Sequence, residues 1–233
     1  MVTCNVVSAA KANRLYWLGR YVERVYLSLH LLRRYYDLMI DGAGDGYGEY
    51  CRKMGLYNTY PDSEQFRLGH MYDTANAASI WSGLKAANDN AIVLREEIRS
   101  ETLSYVQMAL THISEAAGRG ETNITNLQPI TDYMLAFWGS IDERVFNERI
   151  RTLLKLGKLV ENIDIHIRFE YSHARIDEAW QSLTDLIAQA REDLADSHLL
   201  ESLHTLLDAA HYAPHNEEYK NKALKFINGL VLV

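Results

Sequence analysis

The chain is 233 residues long, with 48% hydrophobic and 24% charged residues, enough to bury a sizeable core, and no composition break separates two globular units, so a single domain over 1–233 is expected. A net charge of −7 lacks the Lys/Arg surplus that grips a phosphate backbone, which excludes a dedicated nucleic-acid binder. Cys4 and Cys51 form no pairing or zinc motif and fit a reducing cytoplasm, the N-terminus lacks the basic start and apolar run of a secretory signal, and no stretch reaches the roughly 20 apolar residues of a membrane helix.

In chain order, the first strong period runs from Ala10 to about Ile40. Leu15, Leu18, Val22, Val25, Leu29 and Leu32 alternate by three and four and lay one seam along a helix. The glycine-rich segment 41–48 follows a helix instead of a strand, has the wrong glycine spacing and lacks the lysine of a phosphate loop, so it reads as a flexible connection. Helices are expected over about 74–88, over about 90–117 and after Pro129, with a polar loop at 118–126. A second seam follows at Leu153, Leu156, Val160, Ile163 and Ile167. Beyond His173, the periods of Leu183, Leu186, Ile187, Ala190 and Leu194, and of Leu199, Leu200, Leu203, Leu206 and Leu207, give two more helices. Pro61, Pro129 and Pro214 each sit where a period pauses, and the apolar end 226–233 is expected to dock on the core or on a partner. No alternation of strand type competes, so the fold class is all-α, a bundle of long helices with short connections.

One phrase occurs twice. Leu18-Gly19-Arg20-Tyr21-Val22-Glu23-Arg24 returns as Leu156-Gly157-Lys158-Leu159-Val160-Glu161-Asn162, which predicts an internal duplication of a long helix. At helical spacing Arg20, Glu23 and Arg24 are neighbours on a side that also carries Tyr16, Leu27 and Leu31. Three readings stay open for them: a buried ion-pair network, a ligand or catalytic cluster, or a solvated face. Gly19 in mid-helix, at a cost of about 1 kcal/mol against alanine, suggests close approach of another backbone. The second copy keeps Lys158 and Glu161 but has Asn162 in place of the second cation, so any site is asymmetric. The alternating charges Arg95, Glu96, Glu97, Arg99 and Glu101 fit a solvated face first and a site beside Glu23 and Arg24 second. Glu170 with His173, and Glu201 with His204, have the spacing of di-metal bundle ligands, but a chain this rich in glutamate and histidine yields such pairs by chance. No hydrolase nucleophile elbow is present, and no metal or cofactor is expected.

With Leu15-Tyr16-Trp17-Leu18-Gly19-Arg20-Tyr21-Val22-Glu23-Arg24 near the start, Asn90-Ala91 leading to Arg95, Ser100-Glu101, and the later Leu-Gly-Lys-Leu-Val-Glu, the chain resembles the alpha-E family, an all-helical bacterial family named for its Glu-Arg motif. The match runs over roughly 8–170. The chain departs from the family at Asn162, at Ile92 where an arginine is usual, and at Leu103 where a tryptophan is usual. The resemblance implies work alongside ATP-grasp ligases and transglutaminase-like proteins in peptide or amide-bond metabolism. Carried over residue by residue, it implies substrate binding by Arg20, Arg24, Arg95, Lys158 and Glu161, with Glu23 and Glu101 as candidate acid/base groups. The leading expectation is an accessory subunit that holds a peptide or acyl intermediate. The alternatives are an enzyme of aminoacyl or peptidyl transfer with a buried glutamate as acid or base, and a purely structural helical dimer. Self-association is left open, and neither nucleic acid nor membrane is expected as a partner.

Overall fold

A computed structural model describes residues 7–40, 46–190 and 194–233, the side chains of residues 39 and 40 excepted. These residues form the α-helices α1 (Ala9–Ile40), α2 (Gly46–Met54), α3 (Ser63–Tyr72), α4 (Ile80–Val93), α5 (Arg95–Ile98), α6 (Ser100–Gly118), α7 (Gln128–Arg144), α8 (Glu148–Arg168), α9 (His173–Gln189), α10 (Ser197–Leu206) and α11 (Glu217–Gly229), with a 3-10 turn at Ile124–Leu127. No strand occurs among them, and the fold is all-α. Both seams are buried where the alternation places them, Leu15 to Leu32 on α1 and Leu153 to Ile167 on α8.

The helix starts follow from local chemistry. Asp62, Ser79, Asn147, Asp196 and Asn216 each accept a hydrogen bond from the backbone N–H three residues on, covering a donor that the first turn leaves unsatisfied. Pro129 occupies the first turn of α7, where its missing N–H costs nothing.

The single helix expected over 90–117 is a correction: it is broken twice. Leu94 leaves helical geometry, and Arg99 adopts φ 74° and ψ 151°, a region that disfavours any side chain. Between the breaks, α5 turns Leu94 and Ile98 fully inward while Arg95 and Arg99 stay exposed. Periodicity could not show this, because burial of two leucine-sized groups outweighs the local preference for a continuous helix. The helix expected at 74–88 begins later, at Ile80. Of the glycine-rich segment, 46–48 opens α2 instead of forming a connection, and 41–45 lie outside the described residues.

Contacts gather into two compact units, one from residues up to Arg20 together with 146–233, the other from 21–145. In the first, α8 packs on α9 and α11, and α10 on α11. The start of α1 meets α8 at two glycines. A Cβ placed on Gly19 would collide with the carbonyl oxygen of Leu154, and one placed on Gly157 with that of Tyr16. The apolar end docks on this unit's core: Ile227 and Leu230 are fully buried, the Asp196 amide donates to the Leu230 carbonyl at 2.8 Å, and Ala195 and Val231 form an isolated antiparallel bridge.

In the second unit α6 packs on α4 and α7, and α3 on α4. Gly83 of α4 leaves room for Val25 of α1, whose methyl would stand 3.0 Å from an added Cβ. The turn after α6 is tied back to α3 by the Tyr72 hydroxyl donating to the Glu121 carbonyl at 2.8 Å and by Arg67 donating to the Thr122 carbonyl at 2.9 Å. No described helix is long and apolar enough to cross a membrane.

The glycine contact makes a contrasting prediction. Gly19→Ala and Gly157→Ala should each lower stability by about 2 kcal/mol or more, because overpacking outweighs the ~1 kcal/mol that alanine gains in helix propensity. Gly139→Ala, at an exposed mid-helix position with nothing within 4 Å of the added Cβ, should raise it by up to ~1 kcal/mol. Urea denaturation of the three variants reads both signs.

Candidate functional site

The glycine contact brings Arg20 of α1 onto Glu161, which lies one turn beyond Gly157 on α8. The guanidinium donates to Glu161 Oε2 through Nε at 2.8 Å, with Nη2 2.7 Å from the same oxygen, and Nη1 donates to Asn228 Oδ1 of α11 at 2.7 Å. The Asn228 amide in turn donates to Asp164 Oδ2 at 2.6 Å, and Asp164 Oδ1 accepts from Arg168 Nε at 2.6 Å. The Arg20 guanidinium also lies 5.2 Å from the Trp17 ring centroid. Arg20 is 3% exposed and Glu161 0%. At that depth an ion stripped of its partner costs several kcal/mol, so the pair holds α1, α8 and α11 in one register. Burial raises the pKa of the neighbouring Tyr16 hydroxyl, against the opposing pull of Arg20.

The next turn of α1 belongs to the second unit and does something different. Glu23, 2% exposed, accepts a hydrogen bond from the Trp138 indole at 3.1 Å. Arg24 is half-buried and lines a pocket of about 350 Å³ with Tyr21, Ser28, Thr74, Ser79 and Ser82, at the start of α4. Glu23 does not line it. The trio that helical spacing groups together therefore divides among an ion pair, an indole contact and a pocket wall.

Of the other residues singled out, Lys158 is half-buried on α8, whereas Arg95 and Glu101 are exposed and are not brought into either arrangement. Glu170 accepts from Lys220 at 3.0 Å and pairs with His215, while the His173 ring donates to the Leu207 carbonyl at 3.0 Å. No group of three or more His, Cys, Asp or Glu side chains poised to hold an ion occurs among the described residues. Sequence reasoning missed Asp164, Arg168, Asn228 and Trp138. The four-residue spacing of Asp164 and Arg168 was a readable signal, but nothing local links Asn228 to Arg20 or Trp138 to Glu23.

Behind the pocket lies a second feature that the sequence did not announce. His70 of α3 is fully buried, stacks on Phe66 with ring centroids 5.5 Å apart, and has its Nε2 2.8 Å from the Tyr50 hydroxyl. Its Nδ1 is buried without a hydrogen-bond partner. Burial pushes the His70 pKa down to about 4 and raises that of Tyr50. His166, in the first unit, is also lowered to about 4, by burial and then by Arg175.

A family model, Alpha-E, described as a predicted alpha-helical domain with a conserved ER motif, matches residues 8–220. No curated protein and no solved structure matches the chain. The matched span contains Glu-Arg at 23–24, 143–144 and 148–149. The glutamate is buried only in the first, as Glu143 and Glu148 are exposed.

Two stability predictions follow from these environments. Arg20→Met and Glu161→Met should each cost about 3 kcal/mol, and the Arg20→Met/Glu161→Met double variant should cost less than the sum of its singles, because no buried ion is left unpaired. A thermodynamic cycle by chemical denaturation measures the coupling. For His70, the unfolded ring titrates near 6.5 and the folded one near 4, so below about pH 6.5 the unfolded chain takes up a proton that the folded chain refuses. Stability should fall by about 2 kcal/mol from pH 7 to pH 5 on this account, and His70→Gln should remove that part of the slope. Equal slopes in wild type and variant would assign the loss to other groups.

Proposed function

The chain belongs to the Alpha-E family, and on that footing we propose that it is an accessory subunit of an amide-bond-forming system, working with an ATP-grasp ligase or a transglutaminase-like protein in the cytoplasm. Its role is to hold the acidic end of a peptide or acyl intermediate at Arg24. The observation that carries this reading is that the arginine of the buried Glu-Arg pair lines a pocket of about 350 Å³ among serine and threonine hydroxyls. That volume is in the range of small-molecule sites, and a guanidinium matches a carboxylate or phosphoryl group with paired, charge-assisted hydrogen bonds. Arg20 is a poor candidate for the same role, since drawing it away would strand Glu161 in the core. In this reading Glu23 positions α1 through Trp138 and does not transfer a proton, because its carboxylate lies off the pocket wall. Neither nucleic acid nor membrane enters the scheme.

The test mixes the purified chain with the ATP-grasp ligase encoded nearest its gene. A complex on size-exclusion chromatography and altered ligase turnover are expected. Arg24→Met should keep the complex and the helical circular-dichroism signal while losing the effect on turnover. No complex and no change in turnover would overturn the accessory role, and turnover by the chain alone that Glu23→Gln abolishes would replace it with an enzymatic one.

A further inference from the structure

We infer that the Arg24 pocket receives the C-terminal end of a peptide, or of another N-acylated amino acid, with a short apolar side chain beside the carboxylate, and that it discriminates against free amino acids. This rests on the reading of the pocket as a carboxylate site and adds what must stand next to that carboxylate.

The pocket lies wholly within the second unit, between α1, the loop 74–79 and the first two turns of α4. Among the described residues that line it, Arg24 carries the charge and none is Asp or Glu. The carboxylates nearest in sequence are not in the wall: Glu23 accepts from the Trp138 indole at 3.1 Å, and Asp73 accepts from the Ala75 amide at 2.8 Å. A guanidinium has five N–H donors and a carboxylate takes two of them, so gripping an acid end does not require the whole group.

A free amino acid carries an ammonium one carbon away from its carboxylate. With the acid end at Arg24, that ammonium enters the pocket, gives up water and meets no carboxylate in the wall. Acylation removes the charge and leaves a single amide N–H, which a hydroxyl oxygen can accept. Such acceptors are present. Ser79 Oγ accepts from the Ser82 amide at 3.1 Å and Ser82 Oγ accepts from the Ser79 hydroxyl at 3.0 Å, so each oxygen keeps one lone pair.

The remaining wall sets the side chain. Val25 and Ile80 are 1% and 2% exposed and still line the pocket, together with Gly83, Ala86 and the alanines of the loop. A small apolar group placed against them leaves water, and a polar one finds nothing there to bond. The pocket is bounded at Gly83, where α4 comes so near α1 that an added Cβ would stand 3.0 Å from a Val25 methyl. A volume of about 350 Å³ is near the lower end of small-molecule sites, enough for a carboxylate, an amide and a short side chain.

The test is calorimetric titration of the full chain with four probes. N-acetylalanine should bind, alanine should bind about tenfold more weakly or worse, N-acetyltryptophan should bind more weakly than N-acetylalanine, and N-acetylalaninamide, which lacks the carboxylate, should show no binding. Ala86→Asp, which sets a carboxylate in the wall, should narrow the gap between alanine and N-acetylalanine. Alanine binding as tightly as N-acetylalanine, N-acetyltryptophan binding more tightly than it, or an unchanged gap in a helical Ala86→Asp chain would overturn this inference and leave the carboxylate site standing. N-acetylalaninamide binding as tightly as N-acetylalanine, or no binding of any probe, would overturn both.

Discussion

At Gly19 and Gly157 the helices α1 and α8 meet backbone to backbone, each glycine lying where a side chain would strike a carbonyl oxygen of the facing helix. Contact this close brings Cα hydrogens within reach of carbonyl oxygens, a weak attraction that recurs where helices touch through glycine. It also fixes what surrounds it. Arg20 and Glu161 are within four residues of the contact, so their side chains are delivered to each other with little freedom to rearrange. The burial that makes an unpaired charge so costly is imposed by the same approach. The glycines set the distance and the ion pair sets the register.

That pairing explains why the first-copy cation is an arginine. Its guanidinium uses one edge for Glu161, one nitrogen for Asn228 and a face for the Trp17 ring, three directions that a lysine ammonium could not serve together. Asn228 completes the arrangement, accepting from Arg20 and donating to Asp164, so its amide orientation is set on both sides. A group so fully satisfied has nothing left for a ligand. Among the residues of the first motif, Tyr21 and Arg24 line open space, and of the two only Arg24 carries a charge.

The apolar seams of α1 and α8 were legible because burial of one stripe is all that a 3.6-residue period encodes, and the paired Leu-Gly phrases pointed to close helix contact. The break at Arg99 was not legible. A non-glycine residue with positive φ leaves no trace in composition, and its cause is the fit of Leu94 and Ile98 into a core that sequence alone does not reveal. The helices α2, α3 and α11 went unread for a related reason: their buried groups, such as Tyr50, Phe66, His70, Tyr219 and Ala223, are aromatic or small instead of a leucine run. In the site, Arg20 and Glu161 could be singled out from the repeated phrase. The partners supplied from far along the chain, Asn228 and Trp138, could not, since only tertiary packing connects them.

Arg20, Arg24 and Ser28 are spaced by four and form one stripe on α1, and a helical-wheel argument treats them as equivalents. They are not. Arg20 is locked against a carboxylate, Arg24 is half-buried at the edge of a pocket, and Ser28 is almost wholly buried in the wall of the same pocket with Tyr50 and His70 behind it. What differs along the stripe is the surface each residue meets: the Glu161 carboxylate of α8 for the first, the start of α4 for the second, the aromatic cluster of α2 and α3 for the third. A motif therefore specifies a helix face and the chemical types on it, while the role of each member depends on what the fold brings opposite. In the second copy Asn162 takes the place of Arg24, so the duplicated phrase carries the means of packing twice and its pocket cation only once.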